Sequence, residues 1–87
     1  MAKVVIYTTP VCYYCVQAKR LLEKKGVAYE EIDVARNPEL RRIMVQKAGG
    51  RMTVPQIFVD DKYLSDCDGM YALEKAGKLD ALLNPPS

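Results

Sequence analysis

Apolar and polar positions along this chain fall into short blocks whose period changes several times. Val4-Val5-Ile6-Tyr7 is a continuous apolar run, as expected of a strand buried on both faces. Thr8-Thr9-Pro10-Val11 reads as a loop. From Tyr13 to Lys25 the period becomes helical: Cys15, Ala18, Leu21 and Leu22 form one stripe, with Gln17, Lys19, Arg20, Glu23 and Lys24 on the wet side. Gly26 stops that helix. Tyr29 to Val34 reads as a second strand, with Ile32 and Val34 alternating against Glu31 and Asp33. Strand, helix and strand in this span predict a right-handed βαβ unit. Asn37-Pro38 opens a second helix, a cap residue followed by proline at the first helical position. It runs to about Ala48 and ends at Gly49-Gly50. Gln56-Ile57-Phe58-Val59 is a third strand, and Asp60-Asp61 turns it into Lys62-Tyr63-Leu64. A third helix begins near Ser65 to Cys67 and ends at Gly77. Leu79 to Leu83 adds one more turn before Asn84-Pro85-Pro86 frays out. This order predicts an α/β fold with a four-stranded mixed sheet flanked by helices.

The chain has 87 residues, which predicts one small domain over 1–87. Apolar residues make up 49% of it, enough to bury a core without disulfide staples. Its 3 cysteines are an odd number, unlike the even framework of a secreted mini-protein. Neither a signal-peptide core, a bilayer-spanning stretch nor a lipidation motif is visible, so the expected compartment is a reducing cytoplasm. The net charge of +2 and pI near 8.4 are too mild for a nucleic-acid surface. They suit modest attraction to anionic small molecules or acidic protein patches. With 0 histidines, a Cys–His nucleophile pair is excluded. Activation of a thiol must come from a helix end and from Lys or Arg.

The densest chemistry is Cys12-Tyr13-Tyr14-Cys15, at a strand-to-helix junction. Two thiols at this spacing lie on one face of a helical turn, close enough to bond to each other. A helix N-terminus favours a thiolate, and Cys12 sits at the very start. Cys15 belongs to the apolar stripe and points inward. Cys12 is therefore the expected attacking sulfur and Cys15 the resolving one. Reading both as small core hydrophobes ignores the specificity of the junction. A closed zinc site needs four ligands, and a single pair with a lone Cys67 does not supply them.

Two further segments carry site chemistry. Pro55 opens the third strand; beside an ordinary trans bond stands the reading of a cis bond that exposes the Val54 backbone next to the dithiol, open to an extended peptide. Ser65 and Asp68 match the spacing of a capping box. The alternative for this helix start is a clamp in which free N–H groups take a carboxylate and Asp68 takes an amine. Cys67 reads as a buried packing residue.

Taken together, these residues resemble the glutaredoxin family, most closely the small bacterial dithiol members. The anchors are Val5-Ile6-Tyr7-Thr8, Cys12-x-Tyr14-Cys15, Ala18-Lys19-x-Leu21-Leu22, Lys25-Gly26-Val27, Thr53-Val54-Pro55-Gln56-Ile57-Phe58, Cys67-Asp68, Tyr71-Ala72-Leu73 and Gly77-Lys78-Leu79. The resemblance implies a thioredoxin-like fold and a glutathione-dependent reductase of disulfides and glutathione mixed disulfides. It implies no covalently bound cofactor, no resident metal, no membrane or nucleic-acid partner and a monomer. Its partners would be glutathione itself and disulfide-containing or glutathionylated proteins. Carried over by position, Cys12 forms the mixed disulfide with glutathione and Tyr14 flanks it. Thr53 and Val54, held by a cis Pro55, pair with the glutathione backbone. Cys67, through its backbone, and Asp68 hold the γ-glutamyl end, and Arg41, with Arg42 in reserve, holds the glycyl carboxylate.

The chain departs from the family pattern at Tyr13 in place of proline, at Thr9 in place of lysine and at Ser65-Asp66 in place of two glycines. Loss of the proline raises the alternative of a [2Fe-2S] cluster held by Cys12 and glutathione. Thr9 and Ser65-Asp66 raise that of a thioredoxin-reductase-fed redoxin with weak glutathione binding, since the Asp66 charge opposes a ligand carboxylate.

Overall fold

The computed structural model describes residues 2–85; the fraying expected at Pro86 lies outside them. The elements are β1 (Val4–Thr8), α1 (Tyr13–Lys24), β2 (Tyr29–Asp33), α2 (Pro38–Lys47), β3 (Gln56–Val59), β4 (Lys62–Ser65), α3 (Cys67–Lys75) and α4 (Leu79–Leu83). The sheet order is β2-β1-β3-β4. β1 runs parallel to β2 and antiparallel to β3, and β4 is antiparallel to β3. The predicted four-stranded mixed sheet with flanking helices is therefore the observed one.

Side-chain alternation in the central strands divides the core. Val4, Ile6, Ile57 and Val59 face one way and pack against Ala18, Leu21 and Leu22 of α1, Met70 of α3 and Leu79 and Leu83 of α4. Tyr7 and Phe58 face the other way, against Val34, Met44 of α2 and Ala48, the residue that caps its C-terminus. Phe58 stands edge-on to both Tyr7 and Tyr63, with ring centroids 5.4 and 5.6 Å away, the favoured geometry for aromatic pairs. The apolar run of β1 and the stripe of α1 end up where their periodicities predict.

Polar groups fix the edges of these layers. Asp60 and Asp61 both have positive φ, 50° and 69°, as the tight hairpin turn between β3 and β4 requires. Thr8 and Lys19 both donate to Glu31 Oε2, at 2.7 and 3.0 Å, tying α1 to the rim of the sheet. The Thr8 hydroxyl, with help from the Lys19 ammonium, holds the Glu31 carboxyl below its ordinary range.

One local expectation is corrected. Ser65 does not cap α3; it ends β4, and its Oγ is buried without a hydrogen-bond partner among the described residues. The cap is Asp66, whose carboxylate accepts the Gly69 N–H at 2.8 Å. The hairpin register sets this: Ser65 pairs with Ile57, so its side chain is committed to the sheet. A Cβ at Gly69 would stand 3.1 Å from Asp66 Oδ1 and 3.0 Å from Ser65 Cβ, a tight fit against this cap that glycine avoids. Asp66→Ala is expected to cost about 1 kcal/mol and lower the melting temperature by roughly 4–8 °C. Ser65→Ala is expected to leave it unchanged or raise it, because it removes an unmet polar atom. Thermal melts of the two variants check the assignment.

Candidate active site

Cys12 is the N-cap of α1. Its backbone is extended, with φ −147° and ψ 108°, and its Sγ accepts the Cys15 N–H at 3.1 Å. Sulfur thus stands where a serine or aspartate oxygen normally meets the first free donors of a helix. The sulfur takes up one of the donors that the first turn of α1 leaves without a partner. Cys15, one turn on, is 1% exposed and packs with the α1 stripe. Burial above all, then the hydrogen bond with Cys12, pushes its thiol up to about 12. The two sulfurs therefore sit in opposite surroundings: Cys12 is partly open to solvent, while Cys15 is buried and held as the thiol.

Beside Cys12 lies an open groove of about 280 Å³ lined by Tyr14, Thr53, Val54, Pro55, Asp66, Cys67 and Asp68. The Val54 carbonyl is 3.9 Å from Cys12 Sγ, and the Val54–Pro55 peptide bond is cis, as one of the two sequence readings had it. Among the described residues, neither Thr53 nor Val54 makes a backbone–backbone hydrogen bond. This wall of the groove is a strip of backbone whose N–H groups have no backbone partner. The far end is the start of α3, where Asp66 and Asp68 bring two carboxylates. Cys67 is 5% exposed, and burial, then the Asp68 and Asp66 charges, push its thiol up.

Of the residues singled out in the sequence, Cys12, Tyr14, Thr53, Val54, Pro55, Cys67 and Asp68 are brought together here. Arg41 is not in the lining: its Nη2 donates to the Met52 carbonyl at 2.9 Å, holding the loop before Thr53 from the α2 side. Arg42 pairs with Glu39 at 3.1 Å. Tyr13 points to solvent, 70% exposed, edge-on to Tyr14. The roles of two residues emerge only in the structure. Asp66 was noticed for its charge, and its capping role is visible in the sequence only as a second cap-forming residue beside Ser65. Gln56 is fully buried and donates from Nε2 to Thr53 O and Thr53 Oγ1, at 2.9 and 3.1 Å. A polar residue heading an apolar strand was its only signal.

A dithiol at a helix start, one sulfur accessible and one buried, on a thioredoxin-like sheet, defines a thiol oxidoreductase. The comparisons narrow this. The glutaredoxin family model matches residues 4–64. A glutaredoxin of Pseudomonas aeruginosa is 52% identical over 84 residues, covering 97% of this chain and 99% of its own. The solution structure of a glutaredoxin from Brucella melitensis superposes with a TM-score of 0.83 at 51% identity, over 95% of this chain and 89% of its own. A buckwheat glutaredoxin–glutathione complex superposes at 0.82, with 26% identity over 92% of this chain and 74% of its own. The chain belongs to the glutaredoxin family.

The difference in burial gives an order of alkylation. Iodoacetamide at neutral pH is expected to modify Cys12 alone in the native protein, with Cys15 and Cys67 reacting only on unfolding; peptide mapping by mass spectrometry checks this.

Proposed function

We propose that this protein is a glutathione-dependent reductase of protein disulfides and glutathione mixed disulfides, working as a monomer in a reducing cytoplasm. The observation that carries this reading is Cys12 Sγ, which accepts the Cys15 N–H, at the mouth of a groove walled by backbone N–H groups that have no backbone partner. Glutathione is a short peptide with a thiol, a free amine and two carboxylates. Its backbone suits pairing with Thr53 and Val54. Asp68 takes the amine of the γ-glutamyl end, and backbone N–H groups at Cys67 and Asp68 take its carboxylate. Arg41 keeps guanidinium donors beyond the one on Met52, and these receive the glycyl carboxylate. That a family member from buckwheat is seen with glutathione supports this choice.

With a glutathionylated target, the Cys12 thiolate attacks the glutathione sulfur. A Cys12–glutathione disulfide forms and the target leaves as a thiolate, which takes a proton from solvent. A second glutathione thiolate then attacks that glutathione sulfur, releasing oxidised glutathione and the Cys12 thiolate. With a protein disulfide, Cys12 bonds one target sulfur and expels the other. Cys15 then loses its proton and attacks Cys12 Sγ, releasing the target as a dithiol and leaving a Cys12–Cys15 disulfide. Two glutathiones reduce that bond and depart joined to each other. Only the second route needs Cys15.

Cys12→Ser is expected to abolish both activities, and Cys15→Ser to spare deglutathionylation while eliminating protein-disulfide reduction. Full turnover by the Cys12→Ser protein would remove the basis of the assignment. The pH dependence has a definite sign. Burial keeps Cys15 protonated in the neutral range, so its thiolate fraction, and with it the resolving step, rises as pH rises. Stopped-flow reduction of a protein disulfide is expected to show that rise in the release of the second target thiol, and Cys15→Ser, which stops at the mixed disulfide, to lack that release at every pH. Titrating glutathione into isotope-labelled protein is expected to shift the amides of Cys12 to Tyr14, Thr53, Val54, Cys67 and Asp68.

A further inference from the structure

Gln56 is 0% exposed, yet it occupies the first position of an otherwise apolar central strand. Its side chain turns back on the loop just before it. Nε2 donates to Thr53 O at 2.9 Å and to Thr53 Oγ1 at 3.1 Å. The amide orientation is fixed chemically, because a carbonyl oxygen can only accept and the nitrogen end must face it. The other end, Oε1, is left buried with no hydrogen-bond partner among the described residues. Unmet buried acceptors are rare and unfavourable. An apolar side chain of similar length would fill the same space without that penalty. The two Thr53 oxygens would not be stranded by such a change, since Thr53 is exposed and water can reach them. The position therefore carries a cost that neither packing nor polar satisfaction of the folded chain explains.

What the amide does is consume the Thr53 carbonyl. Arg41 Nη2 consumes the preceding one, Met52 O, at 2.9 Å. Two successive carbonyls are thus engaged, one held from α2 and the other from β3. Val54, the next residue, lines the groove with its carbonyl 3.9 Å from Cys12 Sγ. We propose that Gln56 is a positioning residue for peptide recognition: its buried amide fixes the peptide plane after Thr53, so that the Val54 backbone meets a substrate peptide in register with Cys12. It touches neither the substrate nor the reacting sulfurs. This rests on the reading that the Thr53–Val54 strip pairs with glutathione.

The test compares the wild-type protein with Gln56→Met, which keeps the length and removes the donor, and Gln56→Glu, which keeps the shape and cannot donate when ionised. Three quantities are measured: steady-state constants on a glutathionylated peptide, the rate of Cys12 alkylation by iodoacetamide, and backbone order parameters. In Gln56→Met, KM is expected to rise about tenfold with kcat within about twofold. Alkylation is expected to be unchanged, the melting temperature equal or higher, and order lost at Thr53 and Val54 alone. Gln56→Glu is expected to raise KM at least as much. An unchanged KM, or a fall in melting temperature with disorder spread across β3, overturns the proposal in favour of a structural role. If wild-type protein does not turn over the glutathionylated peptide, the glutathione reading fails instead. The order parameters then decide alone whether Gln56 holds the strip: retained order at Thr53 and Val54 in Gln56→Met overturns it.

Discussion

The hydrogen bond from the Cys15 N–H to Cys12 Sγ joins the chemistry of this protein to its fold. Four N–H groups at the start of any α-helix lack partners within it, and here one of them is given to the reactive atom. The bond exists only while the first turn of α1 is in place. That turn is held by Cys15, Ala18 and Leu22, all buried against the sheet. Packing several residues away is therefore what keeps the sulfur supplied with its donor. The same bond ties the two thiols together, since the residue whose amide meets one sulfur also carries the other.

The second wall of the groove comes from distant parts of the chain. β3 is hydrogen-bonded to β1, the strand that leads into Cys12, and this brings Val54 beside a residue 42 positions earlier. α3 follows β4 directly, which places Asp66, Cys67 and Asp68 at the far end. The wall offers backbone and the end offers helix N–H groups and carboxylates. Under the function proposed above, such a surface would take a peptide by its main chain and termini and leave its side chains largely outside.

The layers and the sulfur pair were legible because they rest on local patterns. The four-residue apolar run of β1, the stripe of α1 and the Asn37-Pro38 start each commit their segments without help from the rest of the chain. Cap assignment at α3 was not legible. Ser65 and Asp66 are both good cap residues, and the choice between them is made by the pairing of Ser65 with Ile57 across the hairpin, a nonlocal fact. Arg41 could be placed on α2 by periodicity, but its reach to Met52 depends on how the Gly49-Gly50 segment folds back. Gln56 was passed over for a related reason. A glutamine at the head of a strand is unremarkable until its neighbour's carbonyl is found facing it.

β2 lies on the rim of the sheet, paired on one side only. A strand in that place is an open template for another chain. Glu30, Glu31 and Asp33 stand exposed along this one, so a second copy arriving rim to rim would set carboxylates against carboxylates. The consequence is colloidal: like charge along this rim disfavours strand-to-strand pairing between copies.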